Sequence, residues 1–378
     1  MTSTPATTEA PNVRIVDLWD PLTETRRDLE VTVEHLPVST TPASRPERTP
    51  APRPERTIDG SSWWVLPGLY DADVHWPIFD AGARWLDRFH AMRGGVVAVN
   101  TACPWDRVAE VGPTAVTAAL APLRFPQVIP VLSVSPDETS EGFADWLPGV
   151  ADELLETWPA VCKLYSYDER FEEHFDAVVA AGMRPIIYAY DEAAVDRIVA
   201  RGVPVHFRHA VTPELIERMK ALPGATVQVS PHFLAEVLDE HRSQLHVLPP
   251  VGDRIARAEL IDVTLDRVDV IASDHNAPVA GNEGPGLDAA DQFLPALLTI
   301  AAQEGWDLAA LVPKLRDVPA SVFRTEDRLQ AGAVIVDPAA SELVGAGPGQ
   351  EARRIPYVGT HLSTRVVAVA SGDELRFV

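Results

Sequence analysis

Polar side chains that could bind a metal ion or move protons stand at the ends of short apolar runs. In "LPGLYDADVH", residues 66–75, Asp73 and His75 lie two apart, so on a β-strand both would point to one face. Burying a carboxylate costs several kcal/mol unless a cation compensates it, and carboxylate and imidazole both suit zinc. Five residues at such ends are the predicted metal ligands: Asp73, His75, Lys163, His209 and Asp274.

Other side chains at the same ends are predicted to bind substrate. They are Asn100, Trp76, Tyr188, His232 and His275. Taken alone, such residues have a simpler explanation. A strand-end histidine such as His209 is more often a hydrogen-bonded structural residue than a ligand, and a lysine such as Lys163 is more often salt-bridged. Asp274 could also be a structural residue that is retained because it forms an ion pair with Lys163. The joint placement of these residues is what favours a site.

The elements that would position these residues alternate regularly. Short β-branched apolar runs alternate with helical patterns of roughly ten or more residues, several of which end in glycine as a helix C-terminus should. Nearly continuous apolar strands need cover on both faces, which crossover helices supply in a parallel sheet. Eight runs predict a (β/α)8 TIM barrel with its working groups at the C-terminal strand ends. The runs are 64–75, 96–102, 127–135, 160–166, 184–190, 203–210, 225–232 and 268–276.

Strand-like pieces also stand at both ends of the chain. We predict a small β domain from residues 12–66 plus 325–378, around an amidohydrolase-type barrel of residues 67–324. The first eleven residues are rich in Thr, Pro and Ala and predict a disordered tail. Residues 35–57 hold too many prolines and too few apolar residues to pack, which predicts a mobile loop rich in Pro and Arg.

Composition excludes several classes of partner. The net charge of −23 repels nucleic acid phosphates and anionic membrane surfaces, so neither is an expected partner. Two cysteines are too few for a disulfide framework. The N-terminus carries no secretory pattern, and no apolar run is long enough to span a bilayer. We therefore expect a cytoplasmic protein that acts on a small molecule.

Several ordered motifs give the chain a family resemblance. "PGLYDADVH" resembles the Pro-Gly-hydrophobic-hydrophobic-Asp-x-His-x-His signature of the amidohydrolase superfamily, and "GGVVAVNTACP" resembles a run of its dihydroorotase group. The segments "VCKLYS", "FRHAVTPELI", "VQVSPHFL" and "VDVIASDHNAP" are similar to those that carry the family's lysine, histidines and aspartate. The chain is identified as a divergent dihydroorotase-like member, from about residue 12 to the end, which implies a link to pyrimidine metabolism.

The resemblance implies a metal-dependent reaction. In the family, a metal-bound water attacks the amide carbonyl, while the aspartate matching Asp274 takes the proton and delivers it to the departing nitrogen. The lysine matching Lys163 can be carbamylated. This chain has Asp73 where the family has its first histidine, and Tyr188 where a later histidine stands. We therefore expect at most one divalent metal, with zinc the expected ion.

Substrate recognition also departs from the family pattern. Trp76 and Pro77 stand where dihydroorotases usually have an arginine for the substrate carboxylate, "VLPPVGD" lacks an asparagine and an arginine, and Val279 replaces a histidine. Without these contacts dihydroorotate would bury an unpaired carboxylate. Dihydroorotate itself is not the expected substrate.

Two functions are predicted. The first is a metal-dependent hydrolase or cyclase that acts on the C–N bond of a cyclic amide, imide or ureide. The second is a catalytically inactive dihydroorotase-like protein that serves as a structural partner of aspartate transcarbamoylase. Homo-oligomers are expected in either case, because relatives form dimers or larger assemblies.

Overall fold

A computed structural model describes most of the chain. The described residues are 12–32, 56–76, 78, 84–123, 125–134, 136, 140–276, 284–347, 350–372 and 374–378. The predicted tail, residues 1–11, and most of the predicted loop, residues 35–57, lie outside them, as do Pro77 and Val279.

The centre of the fold is a sheet of eight parallel strands in which each strand pairs with the next along the chain. We number the strands of the whole chain in order, and β1 to β4 precede this sheet: Asn12–Asp20, Thr25–Thr32, Arg56–Asp59 and Trp64–Pro67. The eight parallel strands are β5 (Leu69–Val74), β6 (Val96–Pro104), β7 (Gln127–Ser133), β8 (Val161–Tyr165), β9 (Arg184–Tyr188), β10 (His206–Arg208), β11 (Thr226–Val229) and β12 (Val270–Ile271).

The first and last strands of this sheet meet and close it into a barrel. His75 N donates to His275 O over 2.8 Å, and Val74 forms a parallel bridge with His275. The buried carboxylate of Asp71 accepts hydrogen bonds from the backbone N–H of Ser273, at 3.0 Å, and from its hydroxyl. The predicted (β/α)8 barrel is confirmed, and Asp71 fastens its seam.

Helices cover the barrel between its strands. Their bounds are α1 (Arg84–Arg93), α2 (Trp105–Val111), α3 (Pro113–Leu120), α4 (Phe143–Thr157), α5 (Phe171–Ala180), α6 (Glu192–Val199), α7 (Pro213–Lys220), α8 (Pro231–Leu234), α9 (Asp239–Arg242), α10 (Arg254–Arg267), α11 (Phe293–Glu304), α12 (Leu308–Leu311) and α13 (Asp317–Val322). Short 3₁₀ turns span Ala290–Gln292, Val312–Leu315 and Ala352–Arg354. Within the described residues, none of these helices has the length and apolar character to cross a membrane.

Both ends of the chain build a second sheet. Strands β13 (Gly332–Asp337), β16 (Arg365–Ser371) and β17 (Glu374–Phe377) join β1 to β4 in the order β2-β17-β16-β13-β4-β1-β3. Strand β2 also pairs with β1, so the sheet curls on itself around an apolar core that includes Ile15, Val65 and Ile335. Strands β14 (Glu342–Leu343) and β15 (His361–Leu362) form a separate pair.

The first predicted barrel strand, residues 64–75, is divided between the two sheets. Residues 64–67 pair with β13 in the curled sheet, and the barrel strand begins only at Leu69. The chain crosses at Gly68, whose N–H donates to Gly332 O over 2.9 Å. A Cβ there would lie 2.6 Å from a methyl carbon of Val97. This crossing lies next to the predicted domain boundary at residues 66–67. The division of the chain into a β domain and a barrel domain stays a prediction.

Both cysteines are packing residues. Cys103 and Cys162 are free thiols, fully buried in the core between the barrel and its helices. Burial raises the pKa of each thiol well above its usual range, which disfavours the reactive thiolate.

We expect Gly68→Ala to lower the free energy of unfolding by about 1–3 kcal/mol, because the added methyl must displace Val97 in a packed core. Gly149→Ala is the matched control. Gly149 lies exposed inside α4 with open space around its Cα, so alanine should stabilise by about 0.5–1 kcal/mol. Urea unfolding of both variants measures the difference, and equal effects would contradict the tight crossing.

Candidate active site at the mouth of the barrel

A cluster of charged side chains fills the barrel interior near the C-terminal strand ends. Strand β5 brings Asp73, β8 brings Lys163 and β10 brings Arg208, each no more than 2% exposed. Strand β11 adds the buried amide of Gln228. Because the strands are parallel and in a barrel, side chains from distant parts of the sequence converge here.

A bulge in β5 places Asp73 inside the barrel. Pairing with β6 matches Asp71 with Val99 and Val74 with Thr101, so β5 carries one extra residue in this interval. Ala72 belongs to the apolar cluster inside the barrel, and its neighbour Asp73 nevertheless also points into the interior, where it contacts Lys163 of β8. Strict alternation would have put one of these two neighbours outside.

The carboxylate of Asp73 accepts four hydrogen bonds. Oδ1 accepts from Lys163 Nζ at 2.9 Å and from Arg208 Nη2 at 2.7 Å. Oδ2 accepts from Arg208 Nε and from Gln228 Nε2, both at 2.7 Å. The guanidinium therefore grips the carboxylate side-on through two nitrogens, which is the strongest geometry for such a pair.

Three further polar groups lie above this ion pair. His75 Nε2 is 3.4 Å from Arg208 Nη2 and 3.8 Å from Asp73 Oδ1. Asp274 approaches Arg208 Nη2 and His209 Nδ1, each at 3.7 Å. None of the described residues donates a hydrogen bond to the Asp274 carboxylate, which makes it the acceptor left over at the mouth.

His209 and Asp274 both adopt left-handed backbone conformations, with φ of 58° and 56°. Such conformations cost non-glycine residues roughly 1–3 kcal/mol each and cluster at functional sites. The turn at His209 has a direct consequence, because it lets two neighbours, Arg208 and His209, both approach Asp73.

The charges set the protonation of the ion pair. Burial alone would raise the pKa of Asp73, but Arg208 and Lys163 outweigh it and hold that pKa well below its usual value. Burial lowers the pKa of Lys163, and Asp73 opposes that shift. Burial would also lower the pKa of Arg208, yet the Asp73 charge raises it. The carboxylate and guanidinium are both ionised.

The groups above the ion pair are shifted toward their neutral forms. Burial, followed by the charges of Lys163 and Arg208, lowers the pKa of His75 to about 3. Burial and Arg208 also hold the pKa of His209 well below its usual value. For Asp274, burial and then the negative charge of Asp73 raise the pKa well above its usual value. A carboxyl with a raised pKa is a stronger base and can hold a proton and return it.

A cavity of about 380 Å³ opens over these residues. His75, Arg208, His209 and Asp274 form its polar floor. Three tyrosines form one wall, with ring centroids 5.6–5.8 Å apart: Tyr165, Tyr167 and Tyr188. Its size falls within the range of small-molecule sites.

The structure brings all five predicted metal ligands together around Arg208. Tyr188 lines the cavity, but its hydroxyl donates to Leu248 O at 2.6 Å, so its ring is what faces a ligand. The role of each residue in binding or catalysis stays a prediction.

The other four predicted substrate contacts do not line the cavity. Trp76 packs in the core beneath the helices, and Asn100 is buried inside the barrel on β6. His232 is buried on α8, where burial lowers its pKa to about 3. His275 belongs to the barrel seam, where its Nδ1 accepts from Ala289 N at 3.3 Å. A strand end alone could not distinguish these positions from the cavity wall.

Sequence reasoning missed Arg208 and Gln228. The signal was present in "VHFRHA", since a two-residue period that places Phe207 against the helices puts His206 and Arg208 inside the barrel. A buried arginine requires a carboxylate partner, and Asp73 was the buried carboxylate without one.

The donor set has the spacing for a metal ion but not the free lone pairs or the charge. By distance, ligand atoms of Asp73, His75 and Asp274 lie within 4.8 Å of one another and could hold one ion. By charge, the arrangement does not fit, because the four hydrogen bonds to Asp73 use all its lone-pair sites. A dication 4 Å from the guanidinium would also be repelled by about 8 kcal/mol, twice the value for two unit charges near a protein surface.

Comparisons with known proteins support the predicted resemblance. No family model matches the chain. It is similar to a dihydroorotase-like protein of Pseudomonas aeruginosa, with 32% identity over 44% of this chain and 44% of that protein. The alignment thus spans less than half of that relative. A dihydroorotase of Methanothermobacter thermautotrophicus is 24% identical over 73% of this chain and 74% of its own length.

A solved structure shares the fold. The L-hydantoinase (dihydropyrimidinase) from Arthrobacter aurescens matches with a TM-score of 0.67 and 17% identity, over 95% of this chain and 94% of that one. The resemblance to dihydroorotase-like proteins and the barrel with a strand-rich sheet are confirmed. The names of these proteins agree with the predicted reaction class, hydrolysis of a C–N bond in a cyclic amide.

We expect Arg208→Met to lower the free energy of unfolding by about 3–5 kcal/mol, because it breaks a buried ion pair and leaves Asp73 undercompensated. Arg218→Met is the matched control, since Arg218 pairs with Asp196 and Glu192 on the exposed surface and should cost at most about 1 kcal/mol. Chemical denaturation of both variants gives the comparison. Similar losses would show that the Arg208 pair is no stronger than a surface pair.

Proposed function

We propose that this chain is a hydrolase or cyclase of the C–N bond in a cyclic amide, imide or ureide. The observation that carries the proposal is the Asp274 carboxylate, which faces the cavity between His209 and Arg208 without a hydrogen-bonding partner among the described residues. A carboxylate in that position can take a proton from water and return it to nitrogen.

In hydrolysis, a water oxygen bonds to the amide carbonyl carbon while Asp274 accepts its proton. The carbonyl oxygen gains negative charge, and the positive charge of Arg208, which lines the cavity, stabilises it. The C–N bond then breaks, and the Asp274 proton passes to the ring nitrogen. Preorganised donors of this kind can supply much of a rate enhancement.

The cavity favours a planar ring without its own negative charge. The tyrosine wall offers ring faces and edges for packing. Arg208 is already paired with Asp73 through two of its nitrogens, which weakens its attraction for a substrate carboxylate. This supports the prediction that dihydroorotate is a poor substrate.

The sequence predicted a metal-dependent form of the reaction, with at most one divalent ion, zinc, and with Lys163 as a candidate for carbamylation. No step here passes through a metal, because Asp73 has no lone pair to offer. Lys163 is held as a hydrogen-bond donor to Asp73 at 2.9 Å, which gives no support to a carbamate.

We expect the chain to open the rings of hydantoin and dihydrouracil and to leave dihydroorotate intact. Asp274→Asn should lower kcat/KM by about 10²-fold or more, because the amide side chain cannot accept the proton. Glu214→Gln, an exposed change on α7, is the matched control and should keep wild-type activity. Chromatographic assay of the ring-opened product gives the rates, and turnover that survives in Asp274→Asn would remove the proposed base.

A second function is favoured by the closed ion pair. Asp73, Lys163 and Arg208 satisfy one another without a ligand, as an inactive homologue would require. We keep as the alternative an inactive structural partner of aspartate transcarbamoylase. Homo-oligomer formation and a cytoplasmic location remain predictions in either case.

If the alternative is right, the wild-type chain should show no turnover and should co-elute with aspartate transcarbamoylase in size-exclusion chromatography. Asp274→Asn should then assemble as fully as wild type, because the mouth of the barrel has no role in it. Ring opening by the wild type that is lost in Asp274→Asn would contradict this alternative.

A further inference from the structure

The buried cluster in the barrel contains a cation, Arg208, that belongs to the protein interior and not to its surface. Arg208 is 2% exposed, and its side chain lies directly over Asp73 rather than extending to solvent. Arginine in such a place must be compensated fully, and Asp73 does so through two bonds of 2.7 Å. The Arg208–Asp73 ion pair is therefore an integral part of the barrel interior.

Further hydrogen bonds inside the barrel hold the Arg208–Asp73 ion pair in place. Gln228 Nε2 donates to Asp73 Oδ2 at 2.7 Å, and the Gln228 carbonyl oxygen is 3.2 Å from His206 Nε2. His206 Nδ1 lies in turn 2.9 Å from the Thr226 hydroxyl. This chain of contacts holds the Asp73 carboxylate in the orientation that Arg208 binds.

The guanidinium stands where a metal ion would have to be. It approaches the three residues whose donor atoms could hold an ion, with its Nη2 2.6 Å from Asp73 Oδ2, 3.4 Å from His75 Nε2 and 3.7 Å from Asp274 Oδ1. One group thus contacts the whole candidate donor set. It supplies one positive charge and uses the lone pairs that coordination would need.

We infer that Arg208 is the resident cation of this barrel and replaces the divalent metal, so that the chain folds and keeps its site without one. The inference does not depend on the proposed activity. It concerns which cation neutralises Asp73, whatever the mouth of the barrel then binds.

Metal content and thermal stability test this inference directly. Wild-type protein is treated with a chelator, dialysed against zinc and freed of excess, and zinc per chain is measured by mass spectrometry. We expect less than about one tenth of an equivalent and the same Tm with zinc and with chelator. Arg208→Gln frees one acceptor site on each Asp73 oxygen, and it should bind about one equivalent and gain several degrees in Tm with zinc.

Two further variants serve as controls. Arg218→Gln removes an exposed guanidinium and should behave as wild type. Arg208→Lys keeps a positive charge beside Asp73 and should still exclude zinc. Stoichiometric zinc in the wild type, or a wild-type Tm that falls in chelator, would overturn the inference, and this measurement stands even where Arg208→Gln is recovered unfolded. A folded Arg208→Gln that binds no zinc would also overturn it.

The proposed hydrolase and this inference can fail separately. Absence of ring opening by a zinc-free, stable wild type would count against the hydrolase alone. Ring opening that requires added zinc would count against the resident cation and leave the proposed reaction class standing.

Discussion

A carboxylate buried at the centre of the barrel constrains the whole site. Asp73 has no solvent exposure, and an uncompensated charge there would cost several kcal/mol. Four hydrogen bonds from three strands compensate it, which fixes the positions of Lys163, Arg208 and Gln228. The parallel barrel allows this, because it brings one end of every strand to a common interior.

The neutralised carboxylate determines what remains for chemistry at the mouth. Burial, followed by the charges of Lys163 and Arg208, favours neutral His75, and burial with the charge of Arg208 favours neutral His209. Asp274 is left as the proton acceptor that faces the cavity, and burial together with the negative charge of Asp73 raises its pKa and so makes it a stronger base. The mouth therefore offers a proton carrier and a hydrogen-bond donor next to tyrosine rings, an arrangement suited to an uncharged cyclic amide.

The shared fold and the local charges point in different directions. The chain matches the fold of an L-hydantoinase over nearly its whole length, and its sequence is similar to dihydroorotases. Yet its central cation is a side chain gripping the candidate metal ligand. Because a barrel tolerates such exchanges without changing its backbone plan, fold similarity constrains the reaction class less than the residues inside do.

The sequence determined the alternation of strands and helices, the barrel, and the convergence of Asp73, His75, Lys163, His209 and Asp274, since these follow from periodicity and ordered motifs. It could not show the bulge in β5, the left-handed turns at His209 and Asp274, or the crossing at Gly68. Those depend on register between strands far apart in sequence. Only the tertiary structure decided which cation meets Asp73, because partners are chosen by distance across the barrel and not by spacing along the chain.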